Sequence, residues 1–348
     1  MPLSALTSFV GRRTELGQLR GLLSSARLVT ITGPGGAGKT RLAEQLASGL
    51  ARSFDGTAVA YLAAALEPND VAEIVAAALS LRNRSERPVR AELAEYIGDR
   101  HVLLVLDNCE HVASAVAELA GELLTACPRL VLVATSRQPL YVPGEQLVAL
   151  SGLARAAAVE LFVDRARLGL PGLVLDAGTA GELDEICGRL DDMPLALELA
   201  AAQVRGLGVT GLRRRLAGHL ADLASRSTVG PERQRTLRQT VAWSHELLTP
   251  HQAAVWRRLA VFSGGFTLDA AEQVAASEPI ERGDLAPILA DLVEQSMLIF
   301  DPSTNRYRLL EVLREYARER LCEAGEQRAT EDRHRRWMVG MALDTDRR

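Results

Sequence analysis

Eight residues, GPGGAGKT at 33–40, constrain this chain more than any other feature. They satisfy the spacing G-x-x-x-x-G-K-[ST], follow the β-branched run RLVTIT at 27–32, and open a segment, 39–52, with helical periodicity. Gly33, Gly35, Gly36, Ala37 and Gly38 allow successive backbone N–H groups to turn toward one point, where the start of a helix adds partial positive charge. A polyphosphate fits there. Lys39 is placed for the β- and γ-phosphates, the Thr40 hydroxyl for Mg2+, and Arg41 follows in the first helical turn. Lys39 is also the only lysine; the rest of the 40 basic residues are arginines. Where arginine serves as the general cation, a single retained lysine marks a position that needs a compact ammonium rather than a planar fork.

Three further apolar runs follow, TAVAYL at 57–62, HVLLVL at 101–106 and RLVLVA at 129–134, with a shorter one, QLVAL, at 146–150. Near-continuous apolar strands alternating with helical stretches predict an α/β domain whose parallel sheet is covered on both faces. Beyond about 153 the strand signal stops. Helices are expected over 155–168, 179–190, 194–206 and 211–224, with Pro194 suited to a first turn. The polar segment SRSTVGPERQR at 225–235 reads as a boundary. After it come helices over 236–248, 250–262, 267–276 and 284–296, a hairpin from 297–301 and 305–309, and a helix over 310–323. Helices followed by a hairpin are the ingredients of a winged helix. The expected division is 1–152, a P-loop nucleotide-binding domain; 153–228, a small helical domain; 229–325, a winged-helix domain; and 326–348, the start of a further helical region.

Two strand ends carry polar residues. VLLVLD at 102–107 delivers Asp107 at the C-terminal edge, where open α/β sheets hold ligands and where a metal-orienting carboxylate on a neighbouring strand is required. The next position, which carries a second carboxylate in many hydrolysing relatives of this layout, is Asn108, and an amide cannot act as a base. Glu110 is then the remaining catalytic candidate, with a solvated acid at a helix start as the alternative. VLVATSR at 131–137 ends in Thr135, Ser136 and Arg137, and the arginine is placed to sense a γ-phosphate.

In series, TSFVGRRTEL at 7–16, ITGPGGAGKTRLA at 31–43, LVLDNCEHV at 104–112, VATSRQPL at 133–140, MPLALELAAA at 193–202, TLRQTVAWSHELL at 236–248, LAVFSGGFTLDAAE at 259–272 and YRLLEVLREYARERL at 307–321 resemble the signal-transduction ATPases with numerous domains. They are similar in particular to the NB-ARC-type ATPase core of AfsR-like and large LuxR-type bacterial transcriptional regulators. The resemblance covers nearly the whole chain and implies a P-loop NTPase of the ASCE type, then a helical and a winged-helix domain. It implies that Val10, Gly11 and Arg12 lie near the adenine and ribose and that Pro194 packs against the base with Leu195 nearby; Pro194 as a helix-initiating proline is compatible with that. Relatives carry a Met-His-Asp motif whose histidine touches the ADP β-phosphate. Here Leu309, Leu310 and Glu311 occupy those positions, so a closed state needs another group, with Arg308, Arg314 and the basic residues 213–215 as candidates. RHRRWMVGMAL at 333–343 resembles the first helix of a repeat region, and the chain reads as either a naturally reduced regulator or the excised core of a longer one.

The formal net charge of -4 offers no general attraction for nucleic acid or anionic membrane. Four cysteines without paired or metal-ligand spacing read as reduced, mostly buried thiols. No basic-then-apolar N-terminal segment and no run long enough for a membrane span occur, so the expectation is a cytoplasmic protein. The expected ligands are ATP or ADP with Mg2+. The expected function is a switch: ADP holds a closed monomer, ATP an open, self-associating form, and DNA is contacted by domains outside this chain. The alternatives are a turnover ATPase or kinase, and direct DNA binding by residues 236–321. Against the last, Glu311, Glu315 and Glu319 interleave with Arg314, Arg318 and Arg320 at helix-pair spacing.

Overall fold

Each apolar run forms a strand. The computed structural model describes residues 8–81, 87–173, 177–216 and 237–345. It divides into two compact units, Met1–Ser151 and Gly152–Arg348.

In the first unit, α1 (Arg13–Leu22) precedes β1 (Leu28–Thr32) and α2 (Lys39–Leu50). Then come β2 (Gly56–Tyr61), α3 (Asp70–Ala78), α4 (Val89–Ile97), β3 (Val102–Asp107), α5 (Ala113–Ala126), β4 (Val131–Thr135) and β5 (Gln146–Ala149). All five strands are parallel, in the order β2-β3-β4-β1-β5. Every residue of β3 and β4 is buried. That explains the unbroken apolar runs, because both faces of a central parallel strand are covered. Leu104, Leu106, Leu132 and Ala134 share one core with Val75 of α3, Leu93 and Ile97 of α4, and Val116, Leu119 and Leu123 of α5. The alternate residues Leu103, Val105, Val133 and Ile31 are fully or almost fully buried as well, and α2 packs beside β3 and β4. Truncating any of these leucines to alanine should cost about 2–5 kcal/mol, transfer and cavity together.

The topology corrects one expectation. The strand that delivers Asp107 does not lie beside β1, because β4 lies between them. The site is therefore assembled from three strand ends, and the tip of β4 is the bridge.

The second unit begins with α6 (Arg155–Gly169), α7 (Ala177–Arg189), α8 (Pro194–Ala201) and α9 (Val204–Arg215). The single helix expected over 194–206 is two. Ala202–Gln203 intervene, and Gly208 (φ 67°, ψ 173°) kinks α9. The glycine-rich stretch 206–211 lacks the propensity to continue a helix. The expected boundary at 225–235 lies outside the described residues. Next come α10 (Leu237–Glu246), α11 (Pro250–Leu259), α12 (Leu268–Ala275), α13 (Leu285–Glu294), an antiparallel pair β6 (Ile299–Asp301) and β7 (Arg306–Arg308), and α14 (Glu311–Glu323). A capping box between Thr249 and Gln252 starts α11, and Trp256 on that helix is wholly buried with its indole N–H donated to Met297 O at 3.3 Å. α15 (Gln327–Thr345) follows, fastened by Glu326, which accepts from Arg257 and Arg258 at 2.7–3.2 Å. No helix among the described residues is long and apolar enough to cross a membrane.

Candidate nucleotide site

The loop between β1 and α2 has the backbone its glycines permit. Gly33 (φ 146°), Gly36 (φ 85°) and Gly38 (φ 89°) all take positive φ. At Gly33 a side chain is excluded twice over, since a Cβ there would lie 2.5 Å from Leu150 O at the end of β5. Arg12, itself left-handed at φ 61° and 9% exposed, braces the loop from behind. Its guanidinium donates to Ala37 O at 3.2 Å and to Ser151 O, and pairs with Glu15 at 2.7 Å. Arg12 thus positions the loop, while Arg41 donates to Ser8 O. Val10 and Gly11 (φ 72°) lie at the same turn.

Lys39 folds back over the loop, donating to Gly33 O at 2.7 Å and Pro34 O at 3.1 Å. Burial pushes its ammonium down to about 8; Glu110 and Asp107 oppose that, and Arg137 adds to it. The penalty on the ammonium is chiefly one of burial, which the charge of an incoming phosphate would offset.

Asp107 ends β3 at 6% exposure. Burial raises its carboxyl above the usual range, and hydrogen bonds from Thr135 and Thr40 counter the rise. Thr135 Oγ1 donates to Asp107 Oδ1 at 2.6 Å and accepts the Asn108 N–H at 2.9 Å. Asn108 is left-handed (φ 66°), and its amide meets His111 Nδ1 at 3.2 Å. The Thr40 hydroxyl and the Asp107 carboxylate, already joined by a hydrogen bond, are the two oxygen donors a Mg2+ ion takes from a P-loop protein, the rest coming from phosphate and water. Among the described residues no group of three or more His, Cys, Asp and Glu side chains could hold a metal, so a dedicated protein cage is not what this site offers. The residues fit Mg2+ held together with a phosphate. The ion would supply charge neutralisation between the phosphate groups.

Glu110 is not a solvated helix-start acid, and Arg137 is not a surface arginine. They form an ion pair, Nε to Oε1 at 3.2 Å, with side chains 6% and 7% exposed. The strand tips beneath are aligned by Cys109 N–H to Thr135 O at 2.9 Å and Ser136 N–H to Ile31 O at 3.1 Å. Sequence reasoning placed Thr135 at a polar tip and missed its role. The available signal was a threonine ending a buried strand, a polar group that must find a partner. It also missed Tyr61, which ends β2 in register with Asp107 and donates to Glu44 on α2 at 2.5 Å. Pro194, at the first position of α8, and Leu195 belong to the second unit.

The comparisons agree with this architecture. The AAA ATPase domain family matches residues 8–142, and the winged helix-turn-helix domain family matches residues 248–322. "Putative HTH-type transcriptional regulator Rv0890c" of Mycobacterium tuberculosis is 41% identical over 327 residues, covering 93% of this chain. The chain spans only 37% of that relative's length. "Uncharacterized protein Rv0894" of the same organism is 41% identical over 340 residues, 95% of this chain and 86% of the relative. Among solved structures, the Walker-type ATPase paby2304 of Pyrococcus abyssi aligns with a TM-score of 0.57 at 16% identity, covering 89% of this chain and 96% of that one; at that identity it establishes the fold alone.

Proposed function

The chain belongs to the family of these mycobacterial proteins and joins an AAA ATPase domain to a C-terminal winged helix; from that premise we propose that it is a nucleotide-controlled switch, the regulatory core of a transcriptional regulator. One observation carries the reading. The groups placed for phosphate and metal are assembled, whereas neither residue placed to activate water is an unpaired carboxylate. Asn108 is an amide, and Glu110 is held by Arg137. Such a site retains nucleotide and hydrolyses it slowly, which suits a device whose output is conformation rather than product. ADP favours a closed form, and ATP an open, self-associating one; the two nucleotides must bind the two forms with different affinity for this to work. The motif series assigns the finer class, the NB-ARC type of signal-transduction ATPase in AfsR-like and large LuxR-type regulators. With it come a helical domain ahead of the winged helix, Val10, Gly11 and Arg12 near the adenine and ribose, Pro194 and Leu195 beside the base, and DNA contact by domains outside this chain, in the cytoplasm.

Mass spectrometry of the purified protein tests retention, with ADP as the expected ligand and an empty site as the contrary result. Lys39→Ala should abolish both nucleotide binding and any ATP-dependent change in elution volume. A kcat well above ~1 s⁻¹, the low end for ordinary enzymes, would instead restore the turnover reading.

Direct DNA binding by residues 236–321 is disfavoured by the surface. Helix α13, third within the matched region 248–322, has no basic residue and exposes Ala286, Pro287, Ala290, Asp291 and Glu294. On the wing, Arg306 donates to Gly265 O and Arg308 reaches Asp191. The interleaved charges partly pair as expected: Arg314 with Glu311 within the helix, Glu319 with Arg238 of α10. No gel shift of duplex DNA by this chain is expected at 150 mM salt; a shift that weakens steeply with added salt would reverse this.

A further inference from the structure

The four residues Leu190–Met193 join α7 to α8, and the two acids among them point to different tasks. Asp191 and Asp192 are both left-handed, at φ 51° and 55°. Two consecutive non-glycine residues there carry a backbone cost that local contacts must outweigh. Asp192 is held by Arg155, which donates to both carboxylate oxygens at 2.7 and 3.0 Å. The Asp191 carboxylate reaches across 120 positions of sequence instead. Its Oδ2 accepts the Glu311 backbone N–H at 2.6 Å, and its Oδ1 lies 3.4 Å from Arg308 Nη1. The side chain is only 16% exposed.

Glu311 is the first residue of α14. The residue before it, Leu310, sits at the N-cap and provides no side-chain hydrogen bond. Leucine has nothing to donate or accept, so the helix start depends on a group from elsewhere. A carboxylate is the best such group, because it accepts the open N–H and meets the positive end of the helix dipole. Asp191 therefore caps α14 from the loop that leads directly into Pro194, three residues on.

We propose that Asp191 is the latch that holds the winged helix against the entry to α8, coupling events at Pro194 to the docking of α14. This rests on the reading above that Pro194 meets the nucleotide base. The latch takes the place of the histidine that Leu310 lacks. It holds α14 by backbone rather than by nucleotide, so occupancy is reported through the loop Leu190–Met193. Opening the latch exposes the first amides of α14, releases Arg308 and leaves Asp191 free to relax from its left-handed conformation. Of the sequence candidates, Arg308, Arg314 and Arg213 are already engaged. Arg308 is the second arm of the Asp191 contact, and Arg314 and Arg213 pair with Glu311 and with Glu182 and Glu185.

The test is hydrogen–deuterium exchange of the peptide covering 309–316 in the full chain, with and without ADP. The variants are Asp191→Gly, which keeps the left-handed backbone without strain, and Asp191→Asn, which retains an acceptor. Losing the cap should speed exchange at the start of α14 by about 5- to 30-fold in Asp191→Gly, with Asp191→Asn recovering most of the protection. ADP should slow that exchange in the wild type and no longer do so in Asp191→Gly, while the ADP Kd stays within about threefold. Unchanged exchange in Asp191→Gly without nucleotide overturns the latch. Accelerated exchange in Asp191→Gly, together with a wild type whose α14 ignores bound ADP, upholds the contact and overturns its coupling to the base. Failure of ADP to bind the wild type at all overturns the switch reading instead, and the nucleotide-free comparison still decides the latch.

Discussion

Removing the charge of Glu110 should unfold the first unit at markedly lower temperature. Glu110→Gln keeps the shape of the side chain but leaves the Arg137 guanidinium, 7% exposed, without its carboxylate at 3.2 Å. Breaking one half of a buried pair costs about 3–5 kcal/mol, because the remaining charge is held out of water. Asp107 lies close enough to perturb the same lysine as this pair and softens the loss, which places the expectation at about 3 kcal/mol. For a unit of this size that lowers the melting temperature by about 6–12 °C. Arg137→Met should cost a similar amount. The double variant Glu110→Leu/Arg137→Met replaces the pair by apolar groups of similar volume and should lie within about 1 kcal/mol of wild type. With the single variant Glu110→Leu completing the cycle, the coupling should be about 3 kcal/mol or more. Calorimetry or far-UV circular dichroism is the assay, since Trp243, Trp256 and Trp337 all lie in the second unit and their fluorescence is blind to the event. Single variants that each cost under about 1 kcal/mol and add without coupling would refute the buried-pair argument. They would also return Glu110 to the status of an available base.

Two further outcomes follow from charge. Lys39 starts from about 8 and must be charged to hold phosphate. Nucleotide affinity should therefore be flat below pH 7 and fall about tenfold per unit above pH 8, with proton uptake on binding seen by titration calorimetry in two buffers; constant affinity to pH 9.5 would contradict it. In the nucleotide-free protein the sign reverses: between about 8 and the unfolded value of 10.5 the unfolded chain holds more protons, so stability from this group rises with pH. Although burial works the other way, Arg257 and Arg258 bring Glu326 down to about 2. Its contribution is complete above about pH 4.5 and is lost as pH falls toward 2. Glu326→Gln should cost about 1–2 kcal/mol at pH 7 after allowance for the exposed part of the pair, and the gap to wild type in urea unfolding followed by tryptophan fluorescence should narrow below pH 4.5; a gap that widens there would count against the assignment.

The local parts of this protein were legible in one dimension. A phosphate loop is contiguous: its glycines, Lys39 and Thr40 act through backbone turns and one helix start, so Gly33–Thr40 announced its own chemistry. Strands buried on both faces must be apolar throughout, which made β3 and β4 and the emergence of Asp107 readable from composition alone. Tertiary structure decided everything that depends on which ends meet. The strand order put β4 between Asp107 and the loop, which turned Thr135 into the bridge, buried Glu110 against Arg137, and removed the one candidate base from solvent. It also brought Asp191 to Glu311, 120 residues apart. No periodicity encodes such a pairing, because a cap supplied from afar leaves only a gap at the helix, here Leu310, and an acid elsewhere with no local reason to be there. Sequence determined the loop Gly33–Thr40 and the strand end at Asp107. The fold decided that Glu110 pairs with Arg137 and that Asp191 accepts the first amide of α14.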